Sequence, residues 1–310
     1  MNDSPQSTRA LGVLLALGCI WGSSFLFIKV IVDETGPVEV ATGRLAIGAV
    51  AILSFVAFRR LPVRWTPEVL AKVAVLALLA NIAPFALIAW GQEHIESGTA
   101  SVLNSTMPIF TSVFAAAFLA EDRFTPGRVA GLILGFLGVL VLTGKDVVDV
   151  TDSSVLGQFA VIAAAACYGV GSVVSRTLLR STDPISLSAL QVTAGAVLGL
   201  PLLFVVSGTP DYSLSAEAWL SLLALGAGGT GLAYVAYLWL IDVTGSVRAS
   251  LVTYIIPIVG LFLGWAVLDE GIGLNTLLGS ALIISGVAIV MGGGAPAPKS
   301  PPVPQPVAAD

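Results

Sequence analysis

The stretch WGSSFLFIKVIVDETGPVEVATGRLAIGA, Trp21 to Ala49, returns later in the chain as YGVGSVVSRTLLRSTDPISLSALQVTAGA, Tyr168 to Ala196, without a gap at an offset of 147. Gly22 falls on Gly169, Lys29 on Arg176, Thr35 on Thr182, Pro37 on Pro184 and Gly48 on Gly195. A second block aligns at an offset of 149, with Trp90 on Trp239, Ala100 and Ser101 on Ala249 and Ser250, Pro108 on Pro257, and Glu121 on Glu270. Two gapless blocks at nearly equal offsets describe one duplicated unit.

Composition identifies the solvent around that unit. Hydrophobic residues make up 56% of the chain and charged residues 11%, whereas an average soluble domain carries about 25% charged. Apolar runs of about 17 to 24 residues, enough at about 1.5 Å per residue to cross about 30 Å of hydrocarbon, recur throughout. They start near Leu11, Val40, Val69, Ala100, Val129, Val155, Ser186, Ala218, Ala249 and Leu274. Period-two alternation is absent, so a helical bundle rather than a β-barrel must satisfy the backbone in lipid. Each unit holds five of these runs, and because five is odd the second copy must be upside down. The expected fold is an all-α integral membrane protein of ten transmembrane helices in two inverted five-helix repeats, with a site at the midplane.

The basic residues set the orientation. With the N-terminus inside, the inner side holds Arg9, Arg59, Arg60, Arg64, Lys72, Arg123, Arg128, Arg176, Arg180, Arg248 and Lys299, and the outer side only Lys29 and Lys145. The positive-inside rule therefore predicts both termini in the cytoplasm of a multi-pass protein of the cell (inner or plasma) membrane. The expected organisation is a cytoplasmic segment (1–10), a first repeat (11–144), an outer linker (145–154), a second repeat (155–292) and a disordered Pro-rich tail (293–310). Arg9 ahead of the first run superficially resembles the start of a secretory leader, but no small-x-small cleavage site follows it and nine further runs do. Cys19 and Cys167 lie inside apolar runs and imply packing, not a disulfide or zinc framework. A net charge of −5 makes nucleic acid an unsuitable partner.

The chain resembles the EamA family of the drug/metabolite transporter superfamily over about Leu11 to Met291. The resemblance is carried by Trp21-Gly22 and Tyr168-Gly169, the basic ends Lys29 and Arg176, and Arg44 in the second run. Pro108 and Pro257, Glu121 and Glu270, and the glycine-rich closing runs GRVAGLILGFLGVLVLTG and LLGSALIISGVAIVMGG complete it. The resemblance implies a ten-helix transporter of small metabolites whose central cavity is lined by helices one to four and six to nine. One departure is that Arg44 aligns with Gln191.

The residues themselves suggest where a substrate binds. Pro108 and Pro257 free the carbonyls of Asn104 and Thr253 near the middle of their runs, tolerable in lipid only where protein, water or ligand pairs with them. Pro84, just after Asn81, has no proline counterpart in the second copy. These three prolines are the candidate conformational residues. All 19 Asp and Glu can be assigned to loops, tails or helix ends, so Arg44 and Lys29 alone bring charge into the bilayer. An intramembrane charge is functional by default; the bland alternative is snorkelling to the outer headgroups with Glu39 as neutraliser. The candidate cavity comprises Trp21, Ser24, Arg44, Asn81, Asn104, Tyr168, Ser172, Gln191, Tyr234, Thr253 and Tyr254. Absence of embedded acids argues against organic cations and favours substrates with an anionic group. Trp65, Trp90 and Trp239 read as interface anchors, His94 as a surface residue, and the glycines spaced one turn apart as packing surfaces.

No paired intramembrane aspartates, HExxH helix or GxSxG elbow occurs, so no catalytic residue, metal ligand or cofactor is expected. The reading is a secondary transporter, an exporter, of small metabolites such as amino acids or organic acids. Its partners are that substrate and the lipid bilayer, and a homodimer is compatible with it. A channel-like permeation pathway ranks next and an intramembrane enzyme last.

Overall fold

The computed structural model describes residues 5–118, 125–144, 152–178, 182–244 and 252–292, and among them every regular element is a helix. In chain order these are α1 (Pro5–Val32), α2 (Pro37–Phe58), α3 (Pro67–Gln92), α4 (Ser97–Phe118), α5 (Pro126–Thr143), α6 (Ser153–Leu178), α7 (Pro184–Ser207), α8 (216–244), α9 (Val252–Leu268) and α10 (Leu274–Gly292). The first eight contain stretches long and apolar enough to cross a membrane, while α9 and α10 are apolar but shorter. The Pro-rich tail, most of the outer linker, Glu121 and Arg248 lie outside the described residues.

Local sequence explains where the helices begin. Beyond α1, whose described part begins at Pro5, four of them, α2, α3, α5 and α7, open on a proline, whose missing N–H is one the first turn could not pair anyway. Thr66, Thr125 and Asp183 cap α3, α5 and α7 by accepting from the amides of Val69, Arg128 and Ser186, and Ser215 caps α8 through Ala218. The apolar pattern alone starts these helices a few residues too late, because caps are polar. Large apolar side chains face outward, Phe58 being 86% and Val205 83% exposed, as a lipid-facing surface requires.

Packing follows the duplication. Helix α1 packs on α9 and α8, and correspondingly α6 on α4 and α3; α2 packs on α8, and α7 on α3. The pairs α2–α7, α4–α9 and α5–α10 close the set. Exchanging each helix with the one five places on leaves this pattern unchanged. The aligned glycines Gly22 and Gly169 occupy equivalent contacts: a Cβ would meet Val259 Cβ at 2.6 Å in one and Phe110 Cβ at 2.8 Å in the other. Gly131 presses on the Gly286 carbonyl and Gly138 on that of Gly279, so α5 and α10 run antiparallel with their backbones nearly touching.

The loops repeat the pattern at opposite ends of the bundle. At one end the α1–α2 turn meets the α7–α8 loop, where Thr35 donates to the Asp211 carbonyl (3.1 Å) and Ser215 to Glu34 (2.6 Å). At the other end the first turn of α7 meets the α2–α3 loop, where the Arg64 amide donates to Ser186 Oγ (2.9 Å).

Candidate functional site

Helices α3 and α8 each widen into a π-helical turn, at Leu78–Ile82 and Ala224–Leu232. In α3 the cause is Pro84: it has no N–H to donate, and the Ala83 amide just before it reaches back five residues to the Leu78 carbonyl. The equivalent position in α8 is Ala233, whose amide makes the same five-residue bond to Gly228. Here the turn carries Gly226, Gly228, Gly229 and Gly231, and at Gly226 and Gly231 the lack of a side chain lets α2 approach closely. A Cβ on Gly231 would lie 2.6 Å from that of Ala51, and one on Gly226 2.6 Å from that of Ile47.

Each wide turn presents one polar side chain to the second helix of the other repeat. Asn81 and Thr230, aligned at the offset of 149, are both fully buried. Arg44 on α2 donates through Nε to Thr230 Oγ1 at 2.8 Å, and Gln191 on α7 donates through Nε2 to Asn81 Oδ1 at 2.6 Å. Arg44 and Gln191 themselves align at the offset of 147, so the two hydrogen bonds are one interaction made twice. The Arg44 side is charged and the Gln191 side neutral.

Aromatic rings surround the pairs. The Arg44 guanidinium lies over the Phe85 ring with Cζ 3.8 Å from its centre, a desolvated cation–π contact. Tyr168 meets Phe85 edge-on at 6.4 Å. Tyr168 and Tyr234 both approach Arg44 closely enough to interact with its charge, and Tyr234 also lies against Asn81. Trp21 donates Nε1 to the Gly229 carbonyl in the second wide turn (3.0 Å) and meets Tyr237 edge-on at 5.2 Å. Arg44 is only 7% exposed, and no carboxylate pairs with it among the described residues, where the one ion pair is Lys72–Glu68 on the surface. Asn81 Nδ2 is buried and makes no well-formed hydrogen bond among the described residues, although the Tyr234 hydroxyl lies within reach.

Seven of the candidate residues therefore cluster: Trp21, Ser24, Arg44, Asn81, Tyr168, Gln191 and Tyr234. Ser24 enters through its contact distance to Gly229, while its hydroxyl bonds back to Ile20. Ser172 touches the cluster only by bonding back to the Tyr168 carbonyl within its own helix, and no hydrogen bond or ring contact links Asn104, Thr253 or Tyr254 to it among the described residues. Thr230, Phe85 and Tyr237 were missed. The alignment already held two of them, since Asn81 points to Thr230 and Tyr234 to Phe85.

Two expectations change, and one residue gains a role. Glu39 does not neutralise Arg44 or Lys29: Lys29 donates to the Gln92 carbonyl at 2.6 Å, and Arg44 points inward to Thr230. Pro108 and Pro257 are not matched mid-helix kinks. Helix α4 breaks at Ser105 and Thr106, whose hydroxyls take the Val102 and Leu103 carbonyls, and Pro108 is the second residue of the resumed helix. Pro257 sits inside a continuous α9, in the second turn from its described start. Two adjacent hydroxyls competing for backbone carbonyls accompany the break in α4, and the aligned Tyr254 and Ile255 of α9 carry no hydroxyl on Cβ. Finally, Glu270 is a capping residue: its two carboxylate oxygens accept the amides of Ser97 (2.6 Å) and Gly98 (2.9 Å), the otherwise uncapped start of α4.

Comparison with known proteins identifies the family. The model of the EamA-like transporter family matches twice, over residues 8–144 and 155–292. The chain is 29% identical over 274 residues to YoaV of Bacillus subtilis, an uncharacterized transporter, covering 88% of this chain and 94% of that one. It is 28% identical over 288 residues to the "Probable terminal-alkyne amino-acid exporter" of Streptantibioticus cattleyicolor, covering 91% and 93%. A protein of known crystal structure, 21% identical, superposes with a TM-score of 0.65 over 91% of this chain and 97% of its own, and so shares the fold.

Proposed function

The chain belongs to the EamA-like transporter family and is a multi-pass membrane protein; from that premise we propose that it is a secondary transporter working by alternating access between two inverted five-helix repeats. It exports small metabolites such as amino acids or organic acids that carry an anionic group. Ten helices cross the cell membrane in this reading, α9 and α10 included, with both termini in the cytoplasm.

The crossed pairs Arg44–Thr230 and Gln191–Asn81 carry the proposal. Each joins one repeat to the other at a widened turn, and irregular backbone within the bilayer is tolerated where it is buried in protein or lines a cavity. The antiparallel α5–α10 contact and the loop contacts at opposite ends support inversion, because a two-fold axis along the membrane normal would leave self-paired helices parallel. The amino-acid exporter among the relatives supports the substrate class.

Uptake and counterflow by purified protein in liposomes, over a panel of amino acids and organic acids, test the reading. Saturable flux that is accelerated by unlabelled substrate on the opposite side is expected. A conductance that does not saturate would replace the carrier with a channel.

A further inference from the structure

We propose that the ligand of the Arg44 cluster is a net-anionic monocarboxylate with an apolar tail, such as a 2-oxo acid or an N-blocked amino acid, and that free zwitterionic amino acids are poorer substrates. This inference rests on reading that cluster as the transport site.

The protein already uses part of the guanidinium. Its Nε is taken by Thr230 and one face by Phe85. The remaining edge presents the two terminal nitrogens, whose fork matches one carboxylate in bidentate geometry. Beside it Asn81 Nδ2, buried and making no well-formed hydrogen bond among the described residues although the Tyr234 hydroxyl lies within reach, offers a further donor. A buried donor left unpaired is unfavourable, and a carboxylate oxygen would satisfy it.

Among the described residues of this cluster no carboxylate stands ready to receive an ammonium. No Asp or Glu occupies a span interior, Asn81 Oδ1 is taken by Gln191, and the Phe85 face is taken by Arg44 itself. A zwitterion would hold its ammonium within a few bonds of its carboxylate, and therefore close to Arg44, in a site where like charges are poorly screened. Removing that charge by blocking or oxidising the amino group leaves the carboxylate contact intact. Around the pair, Trp21, Tyr168, Phe85 and Tyr237 supply apolar surface for a tail.

Charge balance gives the exporter a direction. The loaded site is neutral, whereas the empty site carries the Arg44 charge. After the anion leaves outward, returning the empty site inward moves positive charge with an inside-negative potential. Such a potential therefore favours net export of the anion.

The test uses purified wild type, Arg44→Lys and Arg44→Gln in liposomes. Phenylalanine, phenylpyruvate and N-acetylphenylalanine, and the same three forms built on leucine, separate ammonium from tail. For at least one tail, the oxo acid and the N-acetyl form are expected to half-saturate at roughly tenfold or more lower concentration than the parent amino acid. A valinomycin-imposed inside-negative potential should accelerate their efflux. Arg44→Gln should abolish the preference, and Arg44→Lys should retain part of it.

Equal or better transport of the parent amino acids, or an unchanged preference in Arg44→Gln, overturns the ligand class while leaving the carrier in place. Saturable flux of other panel compounds with none from these six has the same result. Absence of carrier-type flux from every compound in the panel removes the transport reading along with it.

Discussion

Helices α3 and α8 perform the same task with different residues, and the difference separates what the fold needs from what the site needs. In α3 a proline accompanies the wide turn and an asparagine occupies it; in α8 glycines form the turn and a threonine occupies it. The geometry is common to both, so it belongs to the architecture. Asymmetry appears in the partner, where α2 supplies a guanidinium and α7 an amide. In the proposed carrier, a symmetric scaffold with one charge would let the two halves exchange roles in the conformational cycle while only one of them selects the substrate.

The largest expected effect breaks that comparison at the charged end. Arg44→Gln should raise the apparent KM for an anionic substrate roughly ten- to a hundredfold, from loss of a charged hydrogen bond worth about 1.5 to 3 kcal/mol. Gln191→Leu should act mainly on stability, lowering it by about 1 to 3 kcal/mol because Asn81 is left buried with its carbonyl unpaired. Flux kinetics and thermal unfolding of the two detergent-purified variants separate these outcomes. Equal KM increases in both would make the substrate contact symmetric.

Next come the turns. Gly231→Ala places a methyl 2.6 Å from Ala51 Cβ and 3.2 Å from the Gly48 carbonyl, and should destabilise by about 1 to 3 kcal/mol. Gly228→Ala meets nothing within 4 Å and should be neutral or stabilising by up to about 1 kcal/mol. Pro84→Ala restores a donor, so α3 can rewind and withdraw Asn81; it should remain folded yet lose turnover. Wild-type turnover in Pro84→Ala would reduce the wide turn of α3 to a packing feature.

The smallest effect lies at the end of the bundle where Glu270 caps α4. Burial pushes the Glu96 carboxyl up, and the nearby Glu270 pushes it further. The folded state then binds a proton more readily than the unfolded state between the ordinary glutamate range and the raised one. Stability should fall as pH rises through that window. Unfolding temperatures measured across pH 4 to 7 should show this slope in wild type and a weaker one in Glu96→Gln; identical slopes would detach Glu96 from Glu270.

Much of the architecture was legible because duplication doubles every signal. Gly22 and Gly169 could be paired by eye, and the structure gives them matching neighbours. Arg44 stood out because a cation among apolar residues has few explanations. The wide turns were not legible, since a proline and a run of glycines look unrelated until their helices are superposed. Nor was the fate of the duplicated prolines: Pro108 and Pro257 share a register, but the Ser105 and Thr106 hydroxyls that accompany the break in α4 fall on Tyr254 and Ile255 in α9. The role of Glu270 escaped because it caps an amide pair 173 and 172 residues away in sequence.

Inversion of the repeats is the central claim, and sidedness of equivalent loops tests it most directly. Arg64 and Ser213 are related by the offset of 149 and are both exposed, in the α2–α3 and α7–α8 loops. Single cysteines at these positions, in a protein lacking Cys19 and Cys167, can be labelled in intact cells with a membrane-impermeant maleimide. The account predicts labelling at Ser213→Cys from outside and at Arg64→Cys only after the membrane is permeabilised. Labelling of both from the same side would contradict it.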